Sequence, residues 1–214
     1  MDADARQGYL KWYYETNVWK DMYWRGVRTL KFPPDMWNYQ EILYENDLHW
    51  VLETGTRHGG SALYFADWLA ATGSEGGIVS VDITHDSLDP AVRSHPRLRL
   101  LLGDSADSAT IRAIGQLIPP ARTRGMLLIL DSDHTAAHVR RELEALVPLL
   151  RKGDYLVVED TIVNGHPVRP EFGPGPLEAI EAYLAAHPGK LVADAARENK
   201  FGCTFAYRGY YKVI

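Results

Sequence analysis

A chain of 214 residues, 46% of them apolar and 24% charged, has the length for one domain with a sizeable core and the composition of a globular protein. A net charge of −5, with no basic stripe, excludes nucleic acid as a natural partner. No apolar run approaches the length of a membrane span. The single cysteine, Cys203, excludes an internal disulfide. The segment MDADARQGYLKW is acidic and polar where a leader would be basic and then apolar. Both features point to a reducing, cytoplasmic setting.

In chain order, residues 1–47 stand apart because they are rich in Trp and Tyr. Tyr9, Trp12, Tyr13, Thr16, Trp19 and Tyr23 fall at helical spacing, which predicts a helix ended by Gly26. A second short helix is expected after Pro33 and Pro34, over DMWNYQEILYEN. These aromatics either bury against the main domain or form a substrate lid or subunit interface. The expected assembly is a homo-oligomer.

From residue 48 onward strands and helices alternate. HWVLET is a strand, followed by a helix over 60–71. GIVSVDI and RLRLLLG are strands, followed by a helix over 108–117. GMLLILDS is a strand, followed by a helix over 135–150. DYLVVED is a strand, followed by a helix over 175–186. LVADAA and CTFAYR close the set. Continuous apolar strands fit a sheet covered on both faces. The predicted fold is therefore α/β, a doubly wound, mostly parallel, seven-stranded, Rossmann-like sheet over 48–214, with an N-terminal aromatic-rich helical segment over 1–47.

In such folds ligands bind at the carboxyl ends of the strands. Those ends carry Glu53, Asp82, Asp104, Asp131, Glu159 and Asp160. The turn after the first strand, TGTRHGGS, lacks the lysine that a P-loop needs. Arg57 holds the place of the second glycine of the dinucleotide fingerprint. What remains is an acid and two glycines with no provision for phosphate. Asp82 is placed to accept both ribose hydroxyls, and GDSAD is placed to read an adenine edge. An adenosine ligand without phosphate, held by acids, suggests S-adenosylmethionine, whose positive charge favours carboxylates nearby. The candidate cofactor residues are Glu53, Gly55, Thr56, Gly59, Ser61, Asp82, Asp104, Ser105 and Asp131.

LLILDSDHT and LVVEDT end in Asp131 and in Glu159 with Asp160. If these strands are neighbours, three carboxylates converge, and a divalent cation resolves their repulsion. Oxygen ligands favour Mg²⁺, with Mn²⁺ or Ca²⁺ as alternatives. Such a cation can lower the pKa of a substrate hydroxyl beside the methyl group. His134, three residues after Asp131, is the candidate base, and a neutral imidazole suits that task near neutral pH.

The segments GVRTLKFPPDMWNYQEIL, VLETGTRHGGSALYFA, ILDSDHT, VVEDT and PEFGPGPLEAI resemble the cephalosporin hydroxylase-like family, which includes the cephamycin methylation protein and sugar O-methyltransferases of antibiotic pathways. The resemblance implies a class I methyltransferase fold, with S-adenosylmethionine and Mg²⁺. It puts the metal acids at Asp131, Glu159 and Asp160 and the base at His134. The loop TIVNGHPVRPEFGPGP is then the lid over the acceptor, with His166 and Arg169 as candidate contacts. The expected activity is O-methylation of a small hydroxylated natural product or its sugar. Two rival classes stand beside it, a nicotinamide-dependent oxidoreductase and a non-catalytic partner that binds S-adenosylmethionine.

Overall fold

The structure is a computed structural model and describes residues 3–214. The N-terminal part holds α1 (Ala3–Glu15), a hairpin of β1 (Tyr23–Trp24) and β2 (Val27–Arg28), and α2 (Pro33–Glu45). Next come β3 (Leu48–Thr54), α3 (Gly60–Ala71), β4 (Ile78–Asp82), β5 (Leu98–Leu102) and α4 (Ser108–Leu117). The second half contains β6 (Gly125–Leu130), α5 (Ala136–Leu146), β7 (Tyr155–Val158) and α6 (Pro176–Ala186). The chain closes with β8 (Leu191–Ala193), α7 (Ala195–Asn199) and β9 (Tyr210–Val213).

Seven strands form one sheet in the order β5-β4-β3-β6-β7-β9-β8. The first five are parallel, and β9 runs antiparallel to both β7 and β8. The apolar run Met126–Leu130 shows why the sheet is covered on both faces. Leu127 and Ile129 pack with Tyr39, Ile42 and Phe65 of α2 and α3. Leu128 and Leu130 pack with Leu143, Leu146 and Ile180 of α5 and α6. The two-residue period of a strand sends alternate side chains to two separate cores. Among the described residues no helix is long and apolar enough to cross a membrane.

Three sequence expectations shift. The N-terminal helix stops at Glu15, because Asn17 takes a left-handed φ of 59°. Tyr23 and Gly26 belong instead to the β1–β2 hairpin, whose Arg25–Gly26 turn has φ of 50° and 84°, the conformation that tight hairpins require. The segment CTFAYR is no strand. Asp35 and the Thr204 hydroxyl take up the amides of Phe205 and Ala206, so the closing strand begins only at Tyr210. LVADAA likewise stops at Ala193, where Asp194 accepts from Arg197 N and caps α7.

The loop between β7 and α6 is tied down by one carboxylate. Glu178 accepts from Gly175 N at 2.7 Å, Asn164 Nδ2 at 2.9 Å and His166 Nε2 at 2.9 Å. Burial opposes its charge, but His166, Gly175 N and Asn164 outweigh burial and hold its pKa down at about 2. A depressed carboxylate contributes stability that is present above its ordinary value of 4.5 and lost as pH falls toward about 2. Glu178→Gln should therefore flatten the loss of unfolding free energy across that window, measured by urea titration at stepped pH. An unchanged slope would show that Glu178 does not anchor the loop.

Candidate active site

A cleft of about 600 Å³ opens at the carboxyl ends of the parallel strands. β3 delivers Gly55 and Thr56 to it, and β4 delivers Asp82. β5 delivers Asp104 and Ser105, β6 delivers Asp131 and Ser132, and the end of β7 delivers Asp160. Ser61, on the first turn of α3, also lines it. Of the nine candidate cofactor residues, these strand ends and Ser61 place seven at the cleft. Glu53 and Gly59 lie outside it. The Glu53 side chain is fully buried beneath the floor, where Ser80 Oγ donates to it at 2.8 Å. Gly59 turns toward the core, and a Cβ there would lie 2.8 Å from Leu88 and Val92. Gly55 has a local reason of its own. Its φ is 86°, and a Cβ would lie 1.9 Å from the Asp131 carbonyl oxygen, so only glycine lets the β3 turn pass the end of β6.

Asp82 is fixed with its oxygens at the rim. Its Oδ2 accepts from Arg57 N at 2.8 Å and its Oδ1 from Thr84 N at 3.3 Å. Asp104 accepts from Ala106 N at 2.9 Å and Arg141 at 3.0 Å. Burial opposes that charge, but these donors keep the Asp104 carboxyl below its ordinary range.

At the other end of the cleft His134 stands between two acids. Its Nε2 lies 3.2 Å from Asp131 Oδ1 and its Nδ1 lies 3.2 Å from Asp160 Oδ2. One ligand atom from each of the three falls within 4.8 Å of the others. Glu159 is outside that group. Its Oε1 accepts from Lys31 Nζ at 2.6 Å and from the Tyr39 hydroxyl at 2.8 Å. Lys31, only 1% exposed, also ion-pairs with Asp131. The reason is electrostatic. Clustered buried carboxylates need positive charge, and here an ammonium from the N-terminal segment supplies it between Asp131 and Glu159.

The protonation states follow. Burial works against the Lys31 charge, but Asp131 and Glu159 overcome it and raise its pKa, so it stays an ammonium. Burial likewise opposes the His134 cation, but Asp160 and Asp131 hold its pKa up at about 9. Burial pushes Glu159 and Asp160 up. In Asp131, Lys31 and His134 outweigh burial and the carboxyl is lowered. Asp160 and Asp131 thus hold the imidazole toward its charged form, and the neutral form that suits proton transfer is the one expected beside a divalent cation, whose charge disfavours a second one. The set Asp131, Asp160 and Glu159 nevertheless suits a hard divalent cation in its chemistry. It offers oxygen donors on adjacent strand ends, the donor type such a cation takes.

Sequence reasoning missed Lys31 and Tyr39. The one signal for Lys31 is an unpartnered charge inside the apolar stretch TLKF. The N-terminal aromatics take different places. Tyr13 packs on Phe32 with ring centres 5.0 Å apart, and Phe32 stacks on Phe205 at 4.9 Å. Tyr14 and Trp19 stack on each other at 5.6 Å and line the cleft, whereas Tyr9 and Trp12 are exposed. Arg169 reaches the cleft, but His166 lines a separate cavity of about 360 Å³.

This strand order, with its acids gathered at the carboxyl ends, is the class I methyltransferase fold. A solved structure of CmcI with Mg and SAM superposes with a TM-score of 0.70 at 23% identity, covering 91% of this chain and 77% of that one. At the level of sequence, the family Rhamnosyl O-methyltransferase/CmcI matches residues 16–214. The rhamnosyl O-methyltransferase of Mycobacterium leprae is 48% identical over 94% of this chain and 87% of its own. That of Mycobacterium tuberculosis is 47% identical over 98% and 84%. The chain belongs to the rhamnosyl O-methyltransferase/CmcI family and is an O-methyltransferase, which sets aside the oxidoreductase and non-catalytic readings.

Proposed function

We propose that the protein moves the methyl group of S-adenosylmethionine to a hydroxyl of a rhamnose-type sugar on a small natural product, with Mg²⁺ bound at Asp131, Glu159 and Asp160. The observation that carries this reading is the cleft itself. Asp82 stands at one end with its oxygens at the rim, and His134 stands at the other between Asp131 and Asp160. The mycobacterial relatives supply the rhamnosyl acceptor by their names.

Asp82 receives the two ribose hydroxyls, and Asp104 with Ser105 faces the base. Tyr14 and Trp19 cover the acceptor end and exclude water from it. A divalent cation there would supply a Lewis acid that acidifies the acceptor hydroxyl. His134 takes the hydroxyl proton as the acceptor oxygen bonds to the methyl carbon and the sulfur keeps the electron pair of the broken bond. The products are a methyl ether and S-adenosylhomocysteine. Once the charges of Asp131 and Asp160 are neutralised, His134 loses the partners that hold its proton, and it can then accept one.

Asp82→Ala should weaken S-adenosylmethionine binding at least about tenfold, because each hydrogen bond to a charged group contributes roughly 1.5–3 kcal/mol. Isothermal titration calorimetry measures this, and an unchanged dissociation constant in a folded variant would move the ribose site elsewhere. Turnover against a panel of rhamnosides and other hexosides, read by mass spectrometry, tests the acceptor. Methylation of no rhamnoside in the panel would reject the sugar assignment.

A further inference from the structure

Under the cleft wall α5 carries a buried carboxylate with an unusual set of partners. Glu142 is fully buried. Its Oε1 accepts from Ser105 Oγ at 2.6 Å and from Ser132 Oγ at 2.7 Å. Its Oε2 has no hydrogen-bond partner among the described residues. No lysine or arginine pairs with it, and the nearest basic group is His138 Nε2, 3.6 Å from Oε1 and 3.2 Å from Ser105 Oγ. A buried acid without a strong cation is expensive to keep, and two serines alone do not require one.

The arrangement has a directional consequence. A carboxylate only accepts hydrogen bonds, whereas a hydroxyl has one hydrogen and two lone pairs. Glu142 therefore draws both serine hydrogens inward, away from the cleft. Ser105, Ser132, Asp82 and Asp104 all line the cleft, and each of these side chains now offers lone pairs. If His138 donates to Ser105, that hydroxyl still keeps one lone pair. The wall at the ends of β5 and β6 therefore rewards a ligand that donates and repels one that presents a carbonyl.

This bears on the base of the cofactor, and it rests on the S-adenosylmethionine reading given above. Adenine presents an exocyclic amine where hypoxanthine presents an oxygen. Ser105 follows the strand next to the one that carries Asp82, and both line the cleft, so a base attached to a ribose at Asp82 extends toward it. We propose that Glu142 is a positioning residue that sets the hydroxyls of Ser105 and Ser132 as acceptors and thereby makes the cleft select a 6-amino purine over a 6-oxo purine.

The test uses two ligands that differ only along the N1–C6 edge of the base, S-adenosylhomocysteine and S-inosylhomocysteine, titrated into the whole protein by calorimetry. Reversing a buried hydrogen bond leaves paired acceptors unsatisfied, so wild type should prefer the amine by at least about 30-fold. Glu142→Gln has the same shape but can donate from its amide to the serines, which frees their hydrogens to turn into the cleft. Its preference should fall below about threefold, chiefly through tighter binding of the 6-oxo ligand. Loss of mere support would weaken both ligands together, and a ratio that stays at the wild-type value in a folded Glu142→Gln overturns the proposal. Ser132→Ala removes one acceptor and leaves Glu142 bonded to Ser105, so its ratio should also fall. Should Glu142→Gln not fold, an unchanged ratio in Ser132→Ala is equally decisive against the proposal. Wild type binding both ligands equally would reject the role of Glu142 while leaving the cofactor reading intact. Wild type binding neither would reject both.

Discussion

Lys31→Met should lower the unfolding free energy of the metal-free protein by about 3–5 kcal/mol, the usual effect of removing one partner from a buried ion pair. Lys31 is 1% exposed and bonded to both Asp131 and Glu159. Methionine preserves the length of the side chain and its apolar contacts, so the loss reports charge and not a cavity. The two acids would be left buried without their ammonium, with Tyr39 and His134 as their side-chain donors among the described residues. Lys31→Arg should lose less, because it keeps the charge, although its wide planar fork fits poorly where a compact ammonium sits. Urea denaturation in the presence of chelator gives the number. Saturating Mg²⁺ should then recover more stability in Lys31→Met than in wild type, because binding to the folded state alone stabilises it. A variant as stable as wild type in chelator would show that Lys31 does not neutralise this cluster.

The second large effect is on the chemistry. His134→Ala should lower kcat by at least about 10²-fold, the lower end of what a positioned general base contributes, while S-adenosylmethionine affinity stays nearly unchanged. Methyl transfer leaves a proton on the acceptor oxygen, and among the side chains at this end of the cleft the imidazole is the one suited to carry it away. Its two nitrogens point at Asp131 and Asp160, both 3.2 Å away, so its position is set by the same acids that would hold the cation. The log of wild-type kcat/KM should rise with pH and level off as one base loses its proton, and the variant should lack that limb. More than about a tenth of wild-type kcat in His134→Ala would place the base elsewhere, with metal-bound hydroxide the next candidate.

The sheet was legible in the sequence because its signal is local. Apolar runs such as Leu127–Leu130 and Tyr155–Val158, each ending in an acid, mark both the strands and their ligand-facing ends. The helices over 60–71 and 108–117 match α3 and α4. Harder to read were features set by contacts distant in the chain. Lys31 meets Asp131 across 100 residues and Glu159 across 128, and no spacing within the sequence announces that meeting. CTFAYR has the composition of a strand, yet the distant Asp35 and the nearby Thr204 take its amides and keep it irregular. Glu53 and Gly59 bracket the turn, which in sequence suggests ligand contacts, whereas one is pulled under the floor by Ser80 and the other packs on Leu88 and Val92. The acids at the cleft were visible. Which cation neutralises them without metal was a property of the fold alone.

The most direct test of the central claim is transfer of a deuterated methyl group from labelled S-adenosylmethionine to a rhamnoside acceptor, followed by mass spectrometry in EDTA and again after Mg²⁺ is restored. The expected product is a singly labelled O-methyl rhamnoside with Mg²⁺, essentially none in EDTA, and none with Asp131→Asn under either condition. Full transfer in EDTA would contradict the claim, as would undiminished transfer by Asp131→Asn.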